Sequence, residues 1–229
     1  KPLLRDTGYY LIQHVHARVC EARLIDRVII ATDDPRIVDA VRAFDGEVIM
    51  TSPDHVSGTD RVAEVIAPLA ARAVINVQGD EPEIDPLDLD RLADAILEPG
   101  AEIATLAIPL TDAASFANPN HVKVVCDATG HALYFSRAPV PWCDATPGDG
   151  RFGLKHLGVY AYTRDALLRF TAHGPCGLET RERLEQLRAL HHGMRIRVLP
   201  TDRAAIGIDT ESDYREFITR WRKLPRTSP

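Results

Sequence analysis

Apolar and polar positions fall into short blocks along this 229-residue chain, and the blocks switch repeatedly between a helical and a strand-like period. Leu11 to Cys20 mixes the two at helical spacing. Arg27 to Thr32 is a β-branched run, after which Asp33, Asp34 and Pro35 supply a cap and a first-turn proline for a helix through about Phe44. Glu47 to Met50 reads as a strand, Gly58 to Leu69 as a helix, Ala73 to Gln78 as a strand, and Pro86 to Leu97 as a helix opened by proline. This alternation predicts an α/β fold with a mostly parallel sheet covered by helices on both faces.

The rhythm changes after about Ile103. Val122 to Cys126 and Ala132 to Ser136 flank the turn-like Asp127-Ala128-Thr129-Gly130, which predicts a β-hairpin within an excursion over about 115–160. Leu178 to His191 reads as one strong helix, Arg195 to Leu199 as a strand, Glu211 to Lys223 as a terminal helix, and Thr146 to Gly150 as a mobile loop. No internal repeat or long linker divides the chain, so a single domain over 1–229 is expected.

Composition narrows the class. A chain of this length that is 45% hydrophobic can bury roughly 70–75% of its unfolded surface without staples. Cys20, Cys126, Cys143 and Cys176 are widely spread and show no metal-ligand spacing, which favours a reduced, cytoplasmic protein. No apolar run reaches the roughly 18–20 residues of a membrane span. The net charge of −6 argues against a nucleic-acid surface while allowing local cationic pockets for small anions.

The segment Ile75 to Pro82 carries the sharpest chemical signal: a short apolar run ends in Gln78-Gly79-Asp80-Glu81-Pro82. In open α/β sheets ligands bind beyond the carboxyl ends of strands, which is where this places Asp80, and Gly79 leaves room for close approach to the backbone. A second apolar run, Ala205 to Ile208, ends in Asp209. Asp209 or Thr210 could equally be a helix cap, with Thr210 and Asp213 at capping-box spacing. Two such strand ends can also converge, and two carboxylates with open positions suit Mg²⁺.

Taken in order, Lys1-Pro2-Leu3, Ala31-Thr32-Asp33, His55 to Arg61, Asn76 to Pro82, Asn118-Pro119-Asn120, Val122 to Val125, Tyr134 to Arg137, His156 to Tyr160, Leu184 to Arg188 and Gly207 to Thr210 resemble the bacterial 3-deoxy-manno-octulosonate (Kdo) cytidylyltransferases, or CMP-Kdo synthetases, along nearly the whole chain. The resemblance implies a Rossmann-like fold of the nucleotide-diphospho-sugar transferase type, with the β excursion used to form a homodimer. It implies transfer of CMP from CTP to Kdo with release of pyrophosphate, for lipopolysaccharide biosynthesis. Another sugar acid, such as a nonulosonic acid, is the alternative substrate, and a non-catalytic remnant that only binds ligand or dimerises is the alternative class.

By the same resemblance, Asp80 and Asp209 are the Mg²⁺ ligands and act in catalysis together with Lys1. Gln78, Arg137, His156, Tyr160, Glu185 and Gln186 match the sugar-acid positions, where a cation and several hydrogen-bonding groups suit a polyhydroxy carboxylate. Each also has a plainer reading: Arg137 as a charge ending a strand, His156 and Tyr160 as neighbours on one strand face, Glu185 and Gln186 as solvated helix positions. Ser57, Gly58 and Arg61 match nucleotide positions at a loop opening a helix, which is equally a common cap, and Asp80 counts among the nucleotide positions as well. Family members begin with a strand and a basic Arg-x-x-Ser-x-Arg-x-Pro-Gly-Lys loop that grips the triphosphate. This sequence starts at the Lys-Pro that closes that loop, so the expectation is a chain missing its N-terminal strand and phosphate loop, with little turnover by itself.

Overall fold

A computed structural model of the chain describes residues 1–143, 150–203 and 207–223. Their elements run α1 (Leu11–Cys20), β1 (Ile30–Thr32), α2 (Pro35–Arg42), β2 (Val48–Met50), α3 (Gly58–Ile66), β3 (Ala73–Asn76), α4 (Pro86–Leu97), β4 (Ile103–Leu110), α5 (Ala113–Ala117), β5 (Lys123–Cys126), β6 (Ala132–Ser136), β7 (Gly153–Thr163), α6 (Arg164–Ala172), α7 (Gly177–Glu182), α8 (Gln186–His191), β8 (Ile196–Pro200) and α9 (Glu211–Trp221). The loop expected at Thr146 to Gly150 falls on 144–149, outside the described residues. The chain folds as two compact units, one of Lys1–Ala70, Val77–Arg91 and the described part of Ala204–Pro229, the other of Ala71–Asn76 and Leu92–Arg203.

The first unit contains a βαβ motif. Asp34 caps α2, its carboxylate accepting from the Arg36 amide at 2.9 Å, with Pro35 at the first helical position, where its missing N–H costs nothing. The helix carries the chain back so that β1 and β2 pair in parallel, Ile30 opposite Val48 and Thr32 opposite Met50. Elsewhere in this unit Leu11 of α1 packs with Ile208, Tyr214 and Phe217. His14 is buried in an aromatic box, its ring 4.4 Å from that of Trp221 and 5.1 Å from that of Phe217, both edge-on, with Nε2 2.7 Å from the Thr7 hydroxyl.

The second unit is built on a mixed sheet ordered β6-β5-β7-β4-β8, with β3 also paired to β7. Parallel pairing occurs at β4–β8, as at β1–β2, whereas the long β7 runs antiparallel to β3, β4 and β5. The expected α/β layering and the β5–β6 hairpin are present. Antiparallel pairing enters because β5, β6 and β7 follow one another without the crossover helices that parallel strands need. Leu106, Val159, Ala161, Phe135, Leu167, Leu187 and Ile196 form the buried centre of this unit. Lys123 is fully buried, yet its ammonium donates to the carbonyls of Asn118 at 2.9 Å, His121 at 2.6 Å and Arg137 at 2.7 Å. All three donor positions of a charge that would otherwise be costly inside are thereby used.

The helix expected over Leu178 to His191 is broken into α7 and α8. Arg183 between them adopts a left-handed conformation, φ 55° and ψ 48°. The break has a tertiary cause. Arg137 Nε donates to the Glu182 carbonyl at 2.8 Å, removing an acceptor that a continuing helix would use, while the Glu182 carboxylate accepts from the Ser136 hydroxyl at 2.7 Å and the Arg137 amide at 3.0 Å. An ion pair spans the two short helices: Arg188 meets Glu179 through Nε–Oε2 at 2.9 Å and Nη2–Oε1 at 2.6 Å, with side chains only 7% and 13% exposed.

Replacing one partner of that pair strands the other charge inside. Arg188→Met should therefore destabilise the protein by about 3–5 kcal/mol. Urea unfolding measures this, and a loss below about 1 kcal/mol would contradict the pairing. Burial lowers the His14 imidazole from 6.5 to about 4, so the folded chain binds fewer protons than the unfolded chain between these values. The stability linked to neutral His14 is present above about pH 6.5 and is lost as the pH falls toward 4. His14→Gln should thus flatten the fall in Tm between about pH 7 and pH 5, and an unchanged slope would sink the assignment.

Candidate active site

The acidic end of the first unit is assembled from three stretches of sequence. β3 ends at Asn76, and the following turn, with the Glu81 amide donating to the Gln78 carbonyl at 3.2 Å, presents Asp80. From the other end of the chain, the Ile208 amide donates to the Asp80 carbonyl at 2.9 Å, which lays Asp209 beside Asp80. Gly207 to Asp209 form no strand, and Ala205 and Ile206 of the expected apolar strand lie outside the described residues. A backbone bond rather than a second strand end makes the convergence. Arg220 of α9 fixes the same two segments again, gripping Glu83 in a two-bonded pair, Nε–Oε1 2.9 Å and Nη2–Oε2 2.7 Å.

Lys1 completes this cluster. Its ammonium lies 2.5 Å from Asp80 Oδ2 and 3.7 Å from Asp209 Oδ1, so both carboxylates hold one cation. No group of three metal-ligating side chains occurs among the described residues; the arrangement is a pair of aspartates around a single positive charge. A hard cation that takes only one or two protein carboxylates fits that donor set, with Lys1 Nζ standing where a positive charge is already accepted. Glu81 registers the crowding. Burial, reinforced by the charges of Asp80 and Asp209, raises its carboxyl from 4.5 to about 7. The capping role of the second segment is real as well: Thr210 caps α9, its hydroxyl accepting from the Asp213 amide at 3.2 Å, which leaves Asp209 just outside the helix with an exposed carboxylate. A Cβ added at Gly79 would meet Ile12 Cδ1 at 3.2 Å, a tight contact that Ile12 would have to yield to.

The same unit holds the expected nucleotide residues. Ser57 caps α3, its hydroxyl accepting from the Asp60 amide at 3.2 Å. A Cβ added at Gly58 would meet nothing, so no packing demands this glycine. Arg61 is held by Asp33 at 3.3 Å, the Ser52 carbonyl at 3.3 Å and the buried Thr51 hydroxyl. These partners fix the guanidinium at the ends of β1 and β2, on the side where an α/β sheet binds ligands. Gln78 also belongs to this unit, with the acids.

The remaining sugar-acid candidates lie in the second unit. His156 and Tyr160 on β7 stand with ring centroids 5.2 Å apart. A register shift between Thr105 and Leu106 of β4 accompanies this pairing. His156 Nε2 lies 3.0 Å from the Thr105 hydroxyl, which in turn reaches the Val159 carbonyl at 2.8 Å. Burial lowers the imidazole to about 3, so it is neutral, and the Thr105 contact leaves Nδ1 as a second polar atom. Burial likewise raises the Tyr160 phenol, with Tyr162 and the Glu185 carboxylate adding to the effect. The Tyr160 hydroxyl and Gln186 Nε2 are buried with no hydrogen-bond partner among the described residues. Two unsatisfied buried groups of this kind are costly unless a ligand completes them. Arg137 is placed differently: its guanidinium donates to the carbonyls of Glu182 at 2.8 Å and Pro119 at 3.1 Å, making it a strut at the break between α7 and α8.

Sequence reasoning missed Glu81, Asp33 and Thr51, and the Glu83–Arg220 pair. Glu81 carried a signal, as the neighbour of Asp80 in a motif that packing does not require. Asp33 and Thr51 each close a short β-branched strand, a weaker version of the same signal. Nothing in sequence links Glu83 to Arg220.

Comparison with known proteins gives the family of the chain. The cytidylyltransferase family profile matches residues 1–196. A 3-deoxy-manno-octulosonate cytidylyltransferase of Syntrophotalea carbinolica is 47% identical over 221 residues, covering 93% of this chain and 88% of its own length. The protein of the same name from Geobacter sulfurreducens is 44% identical over 230 residues, covering 96% of this chain and 92% of its own. Among solved structures, a CMP:2-keto-3-deoxy-manno-octonic acid synthetase complexed with CTP superposes with a TM-score of 0.92 at 40% identity, over 97% of this chain and 92% of that one. The chain belongs to the cytidylyltransferase family, beside its 3-deoxy-manno-octulosonate cytidylyltransferase members.

Proposed function

We propose that this protein transfers CMP from CTP to 3-deoxy-manno-octulosonate, releasing pyrophosphate, and so supplies activated sugar acid for lipopolysaccharide biosynthesis. The anomeric hydroxyl oxygen of the sugar forms a bond to the α-phosphorus, the α–β anhydride bond breaks, pyrophosphate leaves with the electron pair, and the hydroxyl proton is lost to solvent. Such a transfer needs positioning and neutralisation of charge more than covalent chemistry by the protein. The observation that carries the reading is the joint hold of Asp80 and Asp209 on one cationic nitrogen. These two residues would hold Mg²⁺, which when bound lowers the pKa of the attacking hydroxyl and offsets phosphate charge.

The other groups serve binding. Arg61, fixed by Asp33 and Thr51, offers a cation to the nucleotide, with Ser57 and Gly58 beside it at the opening of α3. Tyr160 and Gln186 offer unsatisfied polar atoms to the hydroxyls of a sugar acid, with His156 as a neutral partner and Glu185 as an acceptor. Gln78 is assigned to the same substrate. The reading extends to a cytoplasmic homodimer. None of the four cysteines forms a disulfide, and no helix among the described residues is long and apolar enough to cross a membrane. β6 lies at the sheet edge with Leu133 exposed, a strand that a second copy can cover. Sedimentation of the protein at micromolar concentration as a monomer alone would remove the dimer from this reading.

Pyrophosphate release with CTP, Mg²⁺ and a panel of sugar acids tests the activity. Kdo should support release and a nonulosonic acid should not, and Asp80→Ala or Asp209→Ala should lower turnover by on the order of 10²–10³. Release that does not depend on Kdo, or undiminished turnover in both variants, would overturn it. Tyr160→Phe and Gln186→Leu should raise KM for the sugar acid roughly tenfold, about 1.4 kcal/mol, with KM for CTP unchanged. A rise in KM for CTP alone would move both residues out of the sugar site.

A further inference from the structure

We propose that Lys1 is the exchangeable counter-ion of the Asp80–Asp209 pair: its ammonium competes with a divalent cation for these carboxylates and must be displaced before the cation binds. The proposal rests on the reading that the pair is the metal site, and adds to it a control on metal affinity. Its basis is the position of Lys1 Nζ, 2.5 Å from Asp80 Oδ2 and 3.7 Å from Asp209 Oδ1. A metal bonded to those oxygens at about 2.0–2.1 Å would lie within a few ångströms of the ammonium. Two cations at that separation repel, and salt screens them little because the Debye length is about 8 Å at physiological ionic strength.

The anchoring of Lys1 allows exchange without refolding. Its backbone is fixed where the Leu4 amide donates to the Lys1 carbonyl at 3.0 Å and the Ile12 amide donates to the Pro2 carbonyl at 3.1 Å. The side chain is 35% exposed and the Asp80 side chain 30% exposed, so the ammonium can leave the pair into water on its flexible stem while its Cα stays in place. The need for a cation also outlasts the exchange. The two carboxylates share one ammonium, so removing it without replacement leaves the pair uncompensated. Metal in and ammonium out is then one coupled event, and an anion that receives the displaced ammonium should favour metal binding. The coupling is reciprocal, so metal should equally favour the anion.

Mn²⁺ binding to the purified protein, followed by electron paramagnetic resonance without nucleotide, tests the exchange independently of turnover. Lys1→Gln should bind Mn²⁺ about 3–10-fold more tightly than the unaltered protein, Lys1→Arg should bind it about as weakly, and Asp80→Asn should bind it at least tenfold more weakly. Inorganic phosphate should tighten Mn²⁺ binding to the unaltered protein and not to Lys1→Gln. If Lys1→Gln binds Mn²⁺ no more tightly while Asp80→Asn still loses it, the exchange is wrong and the metal site stands. If Asp80→Asn and Asp209→Asn both bind Mn²⁺ as the unaltered protein does, the metal site itself is wrong. Thermal unfolding of each variant, expected to match the unaltered protein within a few degrees, shows that a change in affinity is not a failure to fold.

Discussion

Like charge crowded into a small space has to be balanced, and that requirement organises the first unit of this protein. Asp80 and Glu81 lie far from Asp209 in sequence, and a backbone hydrogen bond from Ile208 to Asp80 draws the two stretches together. The cluster is tolerated through two adjustments visible in its chemistry. Lys1 places an ammonium against both aspartates, and Glu81 retains its proton to about pH 7. The pair of carboxylates is thus built around a positive charge, and whichever cation occupies it offsets their mutual repulsion. The Glu83–Arg220 pair lies one step away, tying α9 to the segment that carries Asp80.

The second unit solves the opposite problem. Its candidate groups on β7 are neutral polar atoms among aromatic rings, where burial suppresses charge: His156 is held neutral and the Tyr160 phenol is pushed up. Such surroundings read hydroxyls rather than phosphates, since a buried group left unpaired penalises any ligand that does not complete it. The break between α7 and α8 contributes by setting Glu185 and Gln186 at the start of a new helix. Arg137 and Glu182 maintain it, and Lys123 in turn holds the Arg137 carbonyl, three charged residues spent largely on backbone carbonyls, hydroxyls and amides.

Much of this was legible in the sequence, and the parts that were not have separate physical causes. α1 and α4 were readable to the residue, because their boundaries depend on local period and, in α4, on a first-position proline. β4 was not delimited: Ile103 to Leu110 is almost wholly apolar and mostly buried, so it lacks the alternation that marks a half-exposed strand. The single helix expected over Leu178 to His191 failed because its interruption comes from Arg137, far away in sequence. For the site, the abrupt acids after apolar runs identified Asp80 and Asp209, and their proximity holds even though the second run is no strand over its described residues. Arg137 was read as a sugar-acid position, and its hold on the Glu182 and Pro119 carbonyls was not legible, since residue type alone does not reveal which carbonyls lie within reach.

The cation site proposed at Asp80 and Asp209 has a direct structural signature. The most direct measurement is the anomalous scattering of a crystal grown with Mn²⁺ and CTP. A single peak within about 2.0–2.3 Å of a carboxylate oxygen from each aspartate, with the Lys1 ammonium moved away from both, is the result this account predicts. A peak coordinated elsewhere, or Lys1 still bridging the two carboxylates with CTP bound, would contradict it.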